Sequence, residues 1–293
     1  MNFMRFKWLY FLISALVLIP GIWSLLNFGV KPSVDFTGGT VLELAFPKEI
    51  NSDQFPKIKQ LIEEKNYSVS SIQPSGEKQL TIKMKPVDKE ELTAIKTILA
   101  DFLKETPQEI RFETVGPILG QELIVKTITA IVLAVGFTLL YVAFQFKDLM
   151  FGTCAILAML HDSLVLLGVF SLLGHFRGVE IDTLFVTATL TILSFSVHDT
   201  VVVYDRIRES QKRFPKTKFE DLVNKAVTET LSRSVNNSMT IIFMLVALWL
   251  LGGATIKWFA LALLVGTISG TYSSTFTAAP LLVVWNNLKT KRK

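Results

Sequence analysis

Residues 184–208 read LFVTATLTILSFSVHDTVVVYDRIR, an apolar stretch that is long enough to cross a bilayer and yet contains ionisable side chains. His198 and Asp199 lie well inside this stretch, and charged residues follow from Asp205 onward. A carboxylate at membrane depth costs about 2.5–3.5 kcal/mol on insertion scales, and such residues usually face a bundle interior or a proton path. Asp199 is therefore a candidate functional residue rather than a packing residue.

A polar stripe accompanies the acid. On a helix, Thr187, Thr191, Ser194 and His198 share one face of an otherwise apolar span, and Asp199 lies beside them. The hydroxyls alone are typical of a hydrogen-bonded seam between helices. The cost of a buried carboxylate favours a function for Asp199.

Composition indicates a polytopic membrane protein, because the 293 residues are 50% hydrophobic and only 19% charged, with long apolar runs. The formal net charge of +5 does not indicate nucleic-acid binding, since the basic residues cluster in short loops and tails. The one cysteine, Cys154, excludes an intrachain disulfide, and the three histidines are scattered. We expect no metal, no cofactor, no ATP site and no enzymatic activity.

The apolar runs predict six membrane spans. Residues 1–28 are interpreted as an uncleaved signal anchor, because the run is longer than a signal-peptide core and no small-x-small cleavage site follows it. The other five spans form a membrane domain over residues 119–288, with a cytoplasmic loop at 205–235 and a basic tail at 289–293. They are predicted at residues 123–145, 149–173, 183–204, 236–252 and 256–285.

Residues 29–118 differ in character and predict a water-soluble α+β domain between the first two spans. Strand and helix patterns alternate there in the order βαββαβ, which predicts a ferredoxin-like module. The strands are expected at 40–46, 68–73, 79–84 and 109–115, and the helices at 53–65 and 88–104. Asn51-x-x-Gln54 and Asp88-x-x-Glu91 resemble capping boxes at the two helix starts.

Loop charges predict the orientation. With six spans, the N-terminus, the 145–148 hairpin, the 205–235 loop and the tail share one side, and they hold most of the loop Lys and Arg of the membrane half. The positive-inside rule then places both termini in the cytoplasm and the 29–118 domain outside.

Further candidate residues lie in the spans and at the entry to the outer domain. Asp162 follows His161 near the middle of the third span, where proton handling and a structural pair with another helix are equally open. Arg233 precedes the fifth span and would by itself be a routine basic flank. Gly266 and Gly270 belong to a row of small residues at i+4 intervals that is typical of helix packing in lipid.

The segment DFTGGT at residues 35–40 precedes the first strand. Gly38 and Gly39 let the backbone turn sharply or approach another surface closely, and Asp35 opens the same motif. A phosphate-binding loop is rejected, because no GK[ST] and no strand-loop-helix context is present. The remaining alternative is a simple connector turn.

Several motifs together resemble the SecF family, the smaller membrane subunits of the bacterial SecD–SecF protein-export complex in the RND superfamily. They span nearly the whole chain in the family's order. They are DFTGGT at 35–40, VGPILGQEL at 115–123, LHDSLVLLGVFSLLG at 160–174, HDTVVVYDRIRE at 198–209, TLSRS at 230–234 and FALALLVGTISGTYSSTFTAAPLL at 259–282. The chain departs from the family where His198 stands in place of the usual Asn.

The resemblance implies a mechanism. It assigns Asp199 and Arg233 to proton conduction and implies a separate SecD chain that contributes a further acid; His198 and Asp162 complete our predicted relay. Proton flow across the inner membrane would move outer domains that grip a preprotein leaving SecYEG, with SecA and YajC as further candidate partners. Lipid surrounds the spans, and no nucleic acid is involved.

Two other functions stay open at this point. An RND-type exporter of lipids or small molecules shares the span pattern, although such proteins usually carry two repeats and larger outer domains. A passive scaffold for the translocon would use the buried polar residues only to hold helices together.

Overall fold

The computed structural model describes residues 2–76, 78–146 and 148–291. The chain divides into two compact units, one formed by Met1–Lys31 with Thr129–Lys293 and the other by Pro32–Ile128. The predicted positions Arg292 and Lys293 of the basic tail lie outside the described residues, as does Lys147 of the 145–148 hairpin.

Helix α1 (Lys7–Phe28) follows a 3-10 turn at Phe3–Phe6 and forms the first span. Pro20 lies inside it without ending it. Gly21, Ser14 and Ser24 are its buried residues, whereas most of its large apolar side chains are exposed, as expected for a helix that lipid surrounds.

The Pro32–Ile128 unit contains a four-stranded sheet with two helices, preceded by the single turn α2 (Val34–Thr37). The other elements are β1 (Gly39–Ala45), α3 (Phe55–Glu63), β2 (Val69–Gly76), β3 (Gln79–Met84), α4 (Lys89–Leu103) and β4 (Gln108–Val115). The sheet order is β2-β3-β1-β4 and every neighbouring pair is antiparallel. The ferredoxin-like prediction is confirmed.

The core of this unit explains why the strand and helix periods in the sequence are informative. Alternate strand residues such as Leu42 and Leu44 pack with residues four apart on the helices, such as Ile58 and Ile62 of α3. Helix α4 starts with the predicted capping box, in which the Asp88 side chain accepts from the Glu91 amide and the Glu91 carboxylate accepts from the Asp88 amide.

The other predicted capping box does not form. Asn51 precedes a 3-10 turn instead, and α3 begins at Phe55 without a side-chain cap. Pro56 occupies the first turn of α3, where a residue without an amide proton is tolerated. The predicted start of this helix is therefore shifted by the proline.

The remaining spans are long helices, and six helices of the described chain are long and apolar enough to cross a membrane, which confirms the six-span prediction. The helices that follow the sheet are α5 (Pro117–Phe146), α6 (Leu149–Arg177), α7 (Thr183–Arg213), α8 (Phe219–Leu251), α9 (Ala254–Ser273) and α10 (Ala279–Lys291). The last two are joined by a π-helical turn, Ser274–Ala278, and together they form the sixth span.

Residues 205–235, predicted as a loop, are mainly helical. Helix α7 continues to Arg213 and α8 begins at Phe219, so that residues 214–218 alone connect them. Buried apolar residues continue at helical spacing through this segment, from Ile207 on α7 to Val223 and Val227 on α8. The extensions are stabilised by packing on each other, which a search for membrane-length apolar runs does not register.

Candidate functional site

Asp199 lies at a junction of three spans. Its side chain on α7 is 8% exposed. Oδ2 accepts hydrogen bonds from Ser234 Oγ of α8 at 2.7 Å and from Ser274 Oγ of the π-helical turn at 2.6 Å. The buried acid expected from the sequence is thus held in place by two hydroxyls from other helices.

Asp162 on α6 is a second buried acid, with 1% exposure. Oδ2 accepts from Ser196 Oγ of α7 and from Ser273 Oγ of α9, each at 2.6 Å. Oδ1 accepts from Ser269 Oγ at 2.6 Å and lies 3.0 Å from His161 Nδ1. Both carboxylate oxygens are therefore occupied by nearby donors, and the acid ties together three helices.

Of the serines that hold the two acids, only Ser274 was noted in the sequence, as a member of the small-residue row of the sixth span that contains Gly266 and Gly270. Ser269 and Ser273 are four residues apart on α9 and both reach Asp162, which a search for hydroxyls at i,i+4 spacing in an apolar span would have marked. Ser196 sits three residues before Asp199 but turns to the other acid. Which acid a serine contacts depends on how each helix is rotated.

The π-helical turn supplies Ser274 and is itself braced by α7. Such turns are rare and occur frequently at functional sites, and they leave backbone carbonyls without their usual partners. The buried Tyr204 hydroxyl of α7 donates to the Ala278 carbonyl at 3.0 Å, at the end of the turn. The turn is thereby fixed to the same helix that carries Asp199.

The polar stripe and the acid lie on different faces of α7. Thr187, Thr191, Ser194 and His198 are all exposed, whereas Asp199 is buried. The Thr187 and Thr191 hydroxyls donate to backbone carbonyls of their own helix. Among the described residues the stripe forms no seam with another helix, and His198 does not join the Asp199 site.

Arg233 is exposed on α8, beside Ser234, and the structure does not bring it to Asp199. It makes no hydrogen bond or ion pair with any described residue. It lines an open cavity of about 490 Å³ between α7 and α8, together with Val202, Asp205, Arg206, Glu209, Glu229 and Thr230. In this cavity Arg206 pairs with Glu229, at 2.5 Å, and with Glu209.

The predicted glycine positions have a steric basis. Gly38 and Gly39 have φ values of 73° and 138°, in the region that favours glycine. A Cβ on Gly39 would lie 2.9 Å from the Met84 carbonyl oxygen, so a close approach accompanies the unusual backbone. Asp35 lies within α2, where its amide donates to the Ser33 hydroxyl that caps the turn.

The glycines of the sixth span behave differently from each other. A Cβ on Gly266 would lie 2.2 Å from the Ile192 side chain of α7, whereas one on Gly270 would make ordinary contacts at 3.4 Å or more. Another close crossing, in which two helix backbones meet, was not predicted: a Cβ on Gly168 of α6 would lie 2.6 Å from the Gly21 Cα of α1. Two glycines from distant segments give no periodic signal in one helix.

The described residues contain no cluster of three or more His, Cys, Asp or Glu side chains that could hold a metal ion. The site instead consists of carboxylates and hydroxyls. These groups can exchange protons and hydrogen bonds without a bound cofactor.

Comparison with known proteins gives two family matches. The model described as "Protein export membrane protein SecD/SecF, C-terminal" matches residues 94–288, and the one described as "SecD/SecF GG Motif" matches residues 23–46. The second match includes the Gly38-Gly39 pair, and the first includes Asp162, Asp199 and Arg233.

Individual relatives agree with these matches. The chain is 43% identical over 301 residues to "Protein translocase subunit SecF" of Thermobaculum terrenum, covering 98% of this chain and 94% of that protein. It is 36% identical over 266 residues to "Protein translocase subunit SecDF" of Thermus thermophilus, covering 88% of this chain and 35% of that longer protein. The crystal structure of SecDF from Thermus thermophilus, described as a translocon-associated membrane protein, superposes with a TM-score of 0.85 at 33% identity, covering 98% of this chain and 39% of that one.

Proposed function

Because this chain belongs to the SecD/SecF family of protein export membrane proteins, as a translocase subunit of the SecF kind, we propose that it couples the proton gradient to protein export. Its partner is SecD, which is fused to the SecF part in a relative. In this proposal the pair acts on a preprotein that leaves SecYEG, with SecA and YajC as further contacts. Proton flow through the membrane unit moves the Pro32–Ile128 unit, and Asp199 carries the proton.

The difference between the two buried acids is the observation that carries this proposal. Asp162 has donors on both oxygens, whereas Asp199 accepts hydrogen bonds from described residues through Oδ2 alone. A proton carrier must release and regain its proton, which requires a carboxylate oxygen that other donors do not saturate. Asp199 meets this requirement. Asp162 fits the structural alternative better, as an anchor that holds α6, α7 and α9 together.

Arg233 has a place in this mechanism through SecD. Arg233 is exposed just before the predicted fifth span, and the exposed stripe from Thr187 to His198 adds further polar surface. A polar SecD helix with an acidic residue would cover both. We propose that Arg233 pairs with this acid and alternately attracts or releases the Asp199 carboxylate as the proton moves.

The predicted orientation of the chain sets the direction of proton flow. The basic residues near Lys212, Arg213, Lys216 and Lys218 cluster at the α7–α8 connection, on the side of the chain termini. Cytoplasmic loops carry such an excess of Lys and Arg, so both termini are cytoplasmic and the Pro32–Ile128 unit lies outside the inner membrane. Protons then move inward past Asp199.

The deciding experiment compares Asp199→Asn with wild-type protein, each reconstituted with SecD in proteoliposomes and also assayed for export in inverted membrane vesicles. The amide keeps the shape and accepts the two serine bonds through its oxygen, but it cannot release a proton. We expect normal insertion and SecD binding with loss of both proton flux and gradient-dependent export.

Asp199→Glu, which keeps a titratable group at a shifted position, serves as the matched control and should retain part of both activities. Export and flux at the wild-type rate in Asp199→Asn would exclude the relay and leave the passive scaffold. Since the relatives are named as protein translocase subunits, the small-molecule exporter has no support of its own.

A further inference from the structure

The π-helical turn of the sixth span touches two different parts of the membrane unit. On one side, Ser274 at its start donates to Asp199. On the other side, the next residues of the turn contact the first span: the Phe276 ring lies 4.8 Å from the Tyr10 ring, and the Thr277 and Ser14 hydroxyls are 3.3 Å apart. A single turn thus connects the acid with α1.

A second link joins the same two spans one turn earlier. The Tyr272 hydroxyl donates to the Tyr10 backbone carbonyl at 2.7 Å, and the rings of Tyr272 and Phe276 lie 5.5 Å apart. Phe3, in the turn before α1, also approaches Phe276, at 6.3 Å. The N-terminal half of α1 is therefore held by hydroxyls and aromatic rings of the sixth span.

The Ser274 hydroxyl has two available acceptors. Its oxygen is 2.6 Å from Asp199 Oδ2 and 3.1 Å from the Thr271 carbonyl oxygen of its own helix. A hydroxyl has one proton to donate. When Asp199 is ionised that proton points to the carboxylate, and when Asp199 is protonated the carboxyl can donate to Ser274, whose own proton then turns to Thr271. The hydrogen bonds of the π-helical turn therefore depend on the protonation state of Asp199.

Helix α1 can pass a displacement along its length. Between Tyr10 and Phe28 it crosses α6 where Gly21 meets Gly168 with no side chain between the two backbones. The helix leads directly along the chain into the Pro32–Ile128 unit. Beyond this crossing α1 is also linked to α6 by the Ser24 and Ser171 hydroxyls, 2.7 Å apart, so a tilt of α1 about the glycine contact would change this link as well.

Resting on the proposed function, we infer that the π-helical turn transmits the protonation state of Asp199 to α1, which carries it to the outer unit. Tyr272, Phe276 and Ser14 are positioning residues in this route, and none of them binds the transported proton. Proton movement and export are then separable, because the route lies beyond the acid.

The test uses the double variant Tyr272→Phe/Ser14→Ala, which removes two hydroxyls that link the sixth span to α1 and leaves the rings in place. With SecD in proteoliposomes we expect proton flux close to the wild-type value and export lowered about tenfold, a size typical of residues along a coupling route. Equal losses of flux and export, or no loss of either, would overturn the inference.

A reversible tether tests the same route without removing a contact. Ser24 of α1 and Ser171 of α6 have hydroxyl oxygens 2.7 Å apart, so Ser24→Cys/Ser171→Cys in a Cys154→Ala background can form a disulfide that fixes α1 to α6. Oxidation should stop export and spare proton flux, and a reductant should restore export. Export unchanged by oxidation would overturn the inference.

The matched control is Gln73→Cys/Thr81→Cys, two directly facing positions on the neighbouring strands β2 and β3 of the outer sheet. This disulfide lies within one sheet and crosses no contact between helices, so its formation should leave export unchanged. If oxidation of this control also blocked export, the block seen with the Ser24–Ser171 tether would be due to oxidation itself. Asp199→Asn is measured in parallel to separate the two claims. Proton flux at the wild-type rate in Asp199→Asn would reject the proposed function. If Asp199→Asn loses proton flux as expected, but Tyr272→Phe/Ser14→Ala loses flux and export equally, only the route through α1 is rejected.

Discussion

Ser273 and Ser274 are neighbours in the chain, yet their hydroxyls donate to different carboxylates, those of Asp162 and Asp199, each at 2.6 Å. Successive residues of a helix point about 100° apart, so one short segment can serve two acids on different helices. Asp162, with donors at both oxygens, and Asp199, with donors at Oδ2 alone, are thus both bonded by adjacent residues of the sixth span. A change at Asp162 therefore disturbs the position of Ser274 through the adjacent residue.

Asp162→Ala should lower the free energy of unfolding, as expected if Asp162 acts as an anchor between helices. It leaves three serine hydroxyls and His161 Nδ1 without their acceptor. Side-chain hydrogen bonds between membrane helices contribute about 0.6 kcal/mol each on average, so a loss of about 2 kcal/mol is expected. Thermal unfolding in detergent measures it, with Asp199→Ala as the comparison that should cost less. Equal costs would show that the two acids do not differ as anchors.

Arg233→Lys should impair export and leave the fold intact. The residue is exposed on α8 and makes no contact with described residues that its loss would break. Lysine keeps the charge but lacks the planar set of donors that binds a carboxylate in two places. Gradient-dependent export should fall partly or completely, while thermal stability of the isolated chain stays unchanged. Full export by the lysine variant would reduce Arg233 to a basic flank.

His198→Asn should preserve the maximal export rate, because the side chain is exposed and turned away from the Asp199 site. The replacement exchanges an ionisable side chain for a neutral one, so any effect should appear only in how export depends on pH. Export is compared between wild type and variant from pH 6 to pH 8. Loss of export at every pH would return His198 to the relay.

Gly39→Val should impair export while the protein still inserts. The backbone φ of 138° and the Met84 carbonyl oxygen at 2.9 Å both oppose a Cβ, and strained conformations of this kind cost about 1–3 kcal/mol each. Gly116→Val is the control, since a Cβ there meets nothing within 4 Å. Limited proteolysis of the Pro32–Ile128 unit and export are measured together. Equal behaviour of the two variants would leave the glycine pair as a plain connector.

Thiol labelling tests the orientation. In a Cys154→Ala background, Lys78→Cys in the sheet domain should react with a membrane-impermeant reagent in intact cells whose outer layer is permeable. Lys216→Cys between α7 and α8 should not react, although both positions are exposed. The reverse pattern would invert the topology.

Sequence patterns predicted the elements whose burial follows a simple period. The six spans and the βαββαβ order were predictable because transfer of apolar side chains dominates both. The helical nature of residues 205–235 was missed because those turns are stabilised by Ile207 and Val223 packing outside any membrane-length run. The sequence pattern of residues 205–235 therefore did not predict these helical turns.

The candidate site was predictable only in part. Asp199 was identified because a buried carboxylate is costly wherever its helix points. Its partners depend on helix rotation: Ser234 faces it while its neighbour Arg233 faces outward, a difference of one residue that hydropathy does not resolve. The π-helical turn is held by tertiary contacts of Ser274 and Tyr204, and no sequence propensity predicts it.

Helix α5 has a consequence for how the protein is made. None of its most apolar window is buried within the described chain; Val142 and Phe146 near its end join the membrane core, and Val135 and Leu139 pack against it. In the bilayer this helix is stable alone because its backbone is fully hydrogen-bonded, so insertion does not wait for packing. A subunit synthesised in excess of its partner would therefore remain in the membrane as an inserted but unassembled chain, and its insertion would not depend on that partner.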